Sequence, residues 1–271
     1  MVKKLVAIVG LISVGALAFT TTAIAAPSLK TVTAGVLTIA TDNPAYGPWF
    51  DSNTPSNGKG FESAVAYAVA KQLGYPASKV KWVKAAFDSV IQPGKKNYDF
   101  DINEVSITPD RAKAVDFSTG YYDVAQAVVT IKGSGIEKVT KISDLAKVKL
   151  GAQVGTTSLA TIKNVVKPSA PAAVYNTNDQ AVAALNARLI KGLVLDLPTA
   201  YYVSATVKNA VLVGQFPTAK GSEQFGLVLT KGSSLTKAVS KAVDALRAKG
   251  TLKALADKWL AGAGGAPVLK K

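Results

Sequence analysis

The stretch richest in polar chemistry reads Asp101-Ile102-Asn103-Glu104-Val105-Ser106-Ile107-Thr108-Pro109-Asp110-Arg111. Thr108 suits a helix N-cap, Pro109 the first helical position, and Asp110 the positive end of the helix. Arg111 is electrostatically misplaced at a helix start, so it asks for another role, such as holding an anion. Ser106 stands at the end of the preceding strand, and both side chains can converge on one carboxylate. A guanidinium–carboxylate fork is the strong, directional form of that contact. The competing reading is a surface arginine on a well-capped helix. A second cluster, Val154-Gly155-Thr156-Thr157-Ser158, joins a strand to a helix. Amide N–H groups and the hydroxyls of Thr156 and Thr157 make it a candidate carboxylate site, or a glycine turn with a threonine cap. It is too short for a phosphate loop. Asp196 ends the apolar run Leu193-Val194-Leu195. It can hold an ammonium group where open α/β sheets place their ligands, or cap the helix after Pro198. Tyr46, Trp49 and Phe87 follow strand ends and either flank a ligand or pack as core.

Composition narrows the chemistry. The chain contains no histidine and no cysteine. Ser-His-Asp and Cys-His nucleophiles and the common zinc sites are therefore excluded, and no disulfide supports the fold. No metal or cofactor is called for. The formal net charge is +15, but the lysines are scattered, with no dense run and no interleaved aromatics of the kind a nucleic-acid groove shows. A solvated basic surface is the expectation, with no nucleic-acid partner. Lys3 and Lys4, the apolar run Leu5 to Phe19 and the small-residue site Ala23-Ile24-Ala25 form the three-part pattern of a secretory signal peptide cut after Ala25. No lipid-modified cysteine follows it, so a periplasmic or secreted monomer is expected.

These side chains need a scaffold that brings strand ends together. Apolar runs alternate with helical periodicities, which predicts βαβ units and an α/β fold. Strands are expected at Val36–Ala40, Val80–Val83, Tyr98–Ile102, Val124–Ile131, Val148–Val154, Ala173–Tyr175, Leu193–Leu195, Val211–Val213 and Gln224–Leu229. Helices are expected at Gly60–Leu73, Phe87–Ile91, Ser158–Val166, Gln180–Leu189, Thr199–Thr206, Leu235–Ala248 and Leu252–Leu260, with a helical turn opened by Pro109. The long strands near Ala127–Ile131 and Phe225–Leu229 flank the second α/β segment and are read as a hinge between two lobes. The gap between the lobes is expected to stay wet until a dipolar guest bridges it.

The chain resembles the polar-amino-acid family of extracellular solute-binding proteins, the receptors of ATP-driven (ABC) importers. The resemblance runs from about Gly35 to Leu260. It rests on Gly60-Phe61-Glu62, on Ser106 through Arg111 with Asp116-Phe117-Ser118 and Tyr121-Tyr122, on Gly155-Thr156-Thr157 and Asp196, and on Gly250-Thr251-Leu252 with Trp259-Leu260. It implies two Rossmann-like lobes joined by a two-strand hinge, the periplasmic-binding-protein type II arrangement. Residues 26–130 with 224–260 would form the discontinuous first lobe, 131–223 the second, and 261–271 a flexible tail. Ser106, Arg111 and Thr157 would hold an α-carboxylate, Asp196 the α-ammonium, and Tyr46 and Phe87 would pack on the ligand. Glu104 stands where many relatives are small and hydroxylic; facing the cleft, it would bind an ammonium or cationic side chain, or repel an acidic one. The function implied is capture of a polar amino acid and delivery to a membrane permease. Readings of other classes are a dehydratase-type enzyme using Glu104 and Asp196 as acid and base, and a secreted adhesion or signalling module.

Overall fold

A computed structural model describes residues 29–219, 221–260 and 265–271. The expected signal peptide, residues 1–25, lies outside the described residues. The chain runs β1 (Leu37–Thr41), α1 (Phe61–Gln72), β2 (Val80–Lys84), α2 (Phe87–Val90), β3 (Phe100–Asp101), α3 (Pro109–Ala114), β4 (Val115–Phe117), β5 (Tyr122–Asp123) and β6 (Gln126–Ile131). It continues through β7 (Leu150–Gln153), α4 (Thr157–Thr161), β8 (Ala173–Tyr175), α5 (Asn178–Asn186), β9 (Gly192–Asp196), α6 (Leu197–Thr206) and β10 (Ala210–Gln215). It ends with β11 (Gln224–Phe225), β12 (Val228–Thr230), α7 (Thr236–Ala248) and α8 (Thr251–Trp259).

Two mixed five-stranded sheets result, in the orders β2-β1-β3-β12-β4 and β10-β6-β9-β7-β8. Each is the floor of one lobe. The first lobe packs Leu37, Ile39, Phe100 and Leu229 against Val65 and Val69 of α1 and Val239 and Val243 of α7. In the second, Val129, Leu193 and Leu195 meet Ala181, Leu185 and Ala200 from α5 and α6 on one face. Val128, Val194 and Leu150 meet Leu145, Leu159 and Ile162 on the other. Strands covered on both faces carry near-continuous apolar runs, and β6 and β9 show that pattern.

A separate two-stranded ribbon, β5 with β11, joins the lobes. The hinge therefore lies a few residues before the strands expected to form it. Gln126–Ile131 is buried throughout and pairs with both β9 and β10, and Val228–Thr230 pairs with β4 in the first sheet. The apolar runs read as hinge strands are sheet interior. The second lobe accordingly begins at Gln126 and not at 131.

The C-terminal segment also departs from expectation. Residues 265–271 are packed against the second lobe: Leu269 is 1 % exposed among Val213 and Phe216. The Leu269 amide donates to the Gln215 carbonyl (2.9 Å) and the Lys270 amide to the Thr140 carbonyl (2.8 Å). Because α8 belongs to the first lobe, the chain returns to the second at its end. A run rich in glycine and alanine concealed two buried apolar residues, Ala266 and Leu269, and the paired backbone satisfies its polar groups.

Candidate ligand-binding cleft

The Ser106–Arg111 stretch folds as its capping chemistry predicts. The Thr108 hydroxyl accepts the Arg111 amide (3.2 Å) and Pro109 opens α3. That start aims the Arg111 guanidinium across the gap. One Nη donates to the Ser106 carbonyl (2.7 Å) and the other to the Gly155 carbonyl of the second lobe (2.8 Å). The guanidinium lies over the Phe87 ring, 5.4 Å from its centroid. The Ser106 and Thr157 hydroxyls face each other at 3.3 Å. Thr156 is the helix cap, accepting the Leu159 amide at 3.1 Å.

Asp196 sits at the N-cap position of α6 but makes no side-chain capping bond. Its carboxylate accepts from Gln126 Nε2 at 2.6 Å instead. The capping role is thereby set aside, and Asp196 points into the gap. Gln126, 3 % exposed at the head of β6, also donates to Glu223 (3.0 Å), lies 3.3 Å from the Thr157 hydroxyl and accepts from the Ser158 hydroxyl (2.6 Å). Glu223 in turn accepts from the Ser106 hydroxyl at 2.8 Å. Neither Gln126 nor Glu223 stood out in the sequence. A lone glutamine opening a β-branched run was the one available signal, whereas Glu223 lies in a loop without pattern.

Glu104 faces the cleft. It takes the left-handed conformation (φ 53°), its amide donates to Glu62 Oε1 (2.7 Å), and its own carboxylate accepts from the Thr199 hydroxyl (2.8 Å). Thr199 also accepts from Trp49 Nε1 (2.7 Å), so Trp49, Thr199 and Glu104 form a link between the lobes. Trp49 itself is fully buried against Phe61, Tyr122 and Phe225 and is core. Gly60 explains part of the Gly60-Phe61-Glu62 mark. Its φ is 91°, and a Cβ there would run into the Trp49 carbonyl.

A cavity of about 20 Å³ remains between the lobes, lined by Asp42, Tyr46, Phe87, Asn103, Glu104, Thr156, Thr157 and Asp196, with Ser106 and Arg111 adjoining through Thr157 and Phe87. The residues singled out from sequence, Trp49 excepted, thus gather in one place. In place of the expected wet gap, the lobes meet through the Arg111–Gly155 and Thr199–Glu104 hydrogen bonds, and the Glu223 carboxylate takes the Ser106 and Gln126 donors. A larger cavity of about 470 Å³ lies beyond Tyr46, lined among others by Pro48, Tyr202 and Trp259. It touches none of Ser106, Arg111, Thr157 and Asp196, so the smaller one is the candidate site.

The cleft is strongly acidic for a protein of basic net charge. Burial and the Glu223 charge push the Asp196 carboxyl up to about 8, against the Gln126 bond and the charge of Arg111. Burial, then Glu62 and Asp196, hold Glu104 well above the usual carboxylate range. Beneath them, burial raises Glu62 to about 7 against hydrogen bonds from Tyr121 and the Glu104 amide. The Tyr46 phenol, which accepts the Asp179 amide at 3.3 Å, is pushed up to about 12 by burial and then by the Asp179 charge. Asn103 is 8 % exposed and its Nδ2 has no partner among the described residues. A desolvated carboxylate set of this kind favours a cationic group among its members.

Residues 37–262 match the family described as bacterial extracellular solute-binding proteins, family 3. The chain belongs to that family. It is 29 % identical over 230 residues to the arginine-binding extracellular protein ArtP of Bacillus subtilis, covering 80 % of this chain and 83 % of that one. It is 30 % identical over 221 residues to the L-cystine-binding protein TcyJ of Escherichia coli, covering 79 % of each. Among solved structures, the ancestral amino acid-binding protein AncCDT-1, a precursor of cyclohexadienyl dehydratase, aligns with a TM-score of 0.69 at 29 % identity, covering 83 % of this chain and 95 % of that one. This solute-binding protein thus has the two-lobed type II fold, and the relatives named are binding proteins. The dehydratase-type alternative is not favoured.

Proposed function

We propose that this solute-binding protein captures a free amino acid between its lobes and delivers it to the permease of an ATP-driven importer. In this reading it is exported with a cleaved signal peptide and works as a monomer in the periplasm or outside the cell. The observation that carries the reading is the convergence of Ser106 and Arg111 from one lobe with Thr157 and Asp196 from the other. A zwitterion leaving water needs a hydrogen-bonded partner for each charge. The α-carboxylate meets the Ser106 and Thr157 hydroxyls and the Arg111 guanidinium. Only two of that guanidinium's N–H groups are committed to the Ser106 and Gly155 carbonyls, and the side chain carries five. Asp196 takes the α-ammonium, and Tyr46 and Phe87 flank the side chain.

Contacts divided between lobes stabilise the closed state over the open one, which is the condition for ligand-driven closure about the β5–β11 ribbon. Glu104 and Asp42 line the same cavity, so acidic ligand side chains are repelled and cationic or neutral polar ones admitted. Thermal-shift screening of the twenty amino acids, followed by calorimetry, tests the reading, since a ligand of the closed form raises the melting point by mass action. Stabilisation by basic or neutral polar amino acids is expected. A screen in which no amino acid binds overturns the proposal.

A further inference from the structure

Glu223 belongs to the crossover that leads into the hinge ribbon, one residue before β11. Its carboxylate reaches the same donors that the amino-acid reading assigns to the ligand's carboxylate. Oε1 accepts from the Ser106 hydroxyl (2.8 Å) and from Gln126 Nε2 (3.0 Å). Ser106 faces Thr157 at 3.3 Å, and Gln126 contacts both Thr157 and Asp196. A ligand carboxylate and the Glu223 carboxylate cannot both accept the single Ser106 hydroxyl proton, and two anions at that spacing repel.

We propose that Glu223 is a built-in occupant of the carboxylate subsite that the ligand must displace, and that it sets the specificity for zwitterions over plain carboxylic acids. The proposal rests on the amino-acid reading above. An incoming carboxylate takes over the Ser106 hydroxyl and sends the Glu223 side chain away from it. Glu223 and Asp196, which already share the Gln126 amide, then face a further carboxylate. An ammonium group compensates them, and a ligand that brings one closes the exchange with every charge paired. An acid of the same shape without the amine displaces Glu223 but leaves the acidic groups facing each other uncompensated. It is rejected through repulsion and unmatched desolvation, not through lack of room.

The test compares wild type with Glu223→Gln and Glu223→Ala, using the best amino acid from the screen and its des-amino carboxylic acid as probes in calorimetry. Circular dichroism and a melting curve confirm that each variant is folded. Replacing the carboxylate removes a charged competitor, and the difference between a charge-assisted and a neutral hydrogen bond is worth about tenfold in affinity. Both variants are expected to bind the amino acid about tenfold more tightly than wild type. The des-amino acid is expected to gain by a further factor of about ten, so that discrimination narrows. Weaker binding of the amino acid in both variants, or unchanged affinities for both probes, overturns the proposal. Should neither variant fold, a crystal structure of the wild-type complex decides. Glu223 out of hydrogen-bond reach of Ser106 supports the displacement, and a retained Ser106–Glu223 bond refutes it. A wild type that binds no amino acid refutes the functional reading itself, whereas a wild type that binds while its variants bind no tighter refutes only the role of Glu223.

Discussion

Replacing Arg111 by alanine perturbs both halves of the binding step. Among the described residues, the Arg111 guanidinium is the positive charge adjoining a cleft lined by Asp42, Glu104 and Asp196, and it makes a charge-assisted bond across the gap to the Gly155 carbonyl at 2.8 Å. A hydrogen bond to a charged group contributes about 1.5–3 kcal/mol, which corresponds to roughly 10- to 150-fold in affinity. Losing the ligand's ion pair alone therefore weakens binding at least about tenfold, and losing the bond to Gly155 adds to that by loosening the closed state. Arg111→Lys retains the charge but not the planar fork or the stacking on Phe87, and is expected to fall between wild type and alanine. Calorimetry with the best amino acid measures both, and the amino acid's amide, which lacks the carboxylate charge, serves as control. The amide should lose less than the acid on Arg111→Ala. An affinity within about twofold of wild type, or equal losses for acid and amide, removes Arg111 from the carboxylate subsite.

Three further outcomes follow from the same geometry. Asp196 is held protonated up to about 8, while an ammonium ligand requires its carboxylate. Binding below that pH should therefore release a proton, and affinity should climb by at most about tenfold per unit as pH rises toward 8. Calorimetry in buffers of different ionisation enthalpy reads the proton, and its persistence in Asp196→Asn contradicts the assignment. Linkage gives the opposite sign for the ligand-free protein: the folded state keeps a proton that the unfolded state releases above its pKa of 3.8, so this group's contribution declines as pH rises from about 4 to 8. Glu104→Gln should relax the rejection of glutamate and aspartate in the thermal-shift screen; continued rejection would place selectivity elsewhere. Leu269→Ala should lower stability by about 2–5 kcal/mol in denaturant titrations, as for other buried leucines, and a negligible loss would contradict the packed C-terminal segment.

The fold was legible because its strands and helices carry strong local signals. The buried runs of β6 and β9 and the capped start of α3 emerge where periodicity and capping chemistry place them. The location of the hinge was not legible, since a two-residue ribbon such as β5–β11 carries no periodicity, while the longer apolar strands beside it are sheet interior. The tail misled for a related reason: Leu269 and Ala266 are buried anchors in a segment whose composition reads as frayed. At the site, residues with a local chemical oddity were found, Arg111 at a helix start and Asp196 after an apolar run. Gln126 and Glu223 were missed because their meaning arises only when two crossovers bring them to Ser106 and Asp196. Sequence spacing says nothing about a contact separated by 117 residues, as between Ser106 and Glu223.

The most direct test is a crystal structure of the protein with the amino acid selected by screening. The account predicts that the ligand spans the lobes, its carboxylate on Ser106, Thr157 and Arg111 and its ammonium on Asp196, with Glu223 turned away from Ser106. An amino acid seated instead in the cavity beyond Tyr46, with the contacts of Arg111 and Asp196 unchanged, would contradict it.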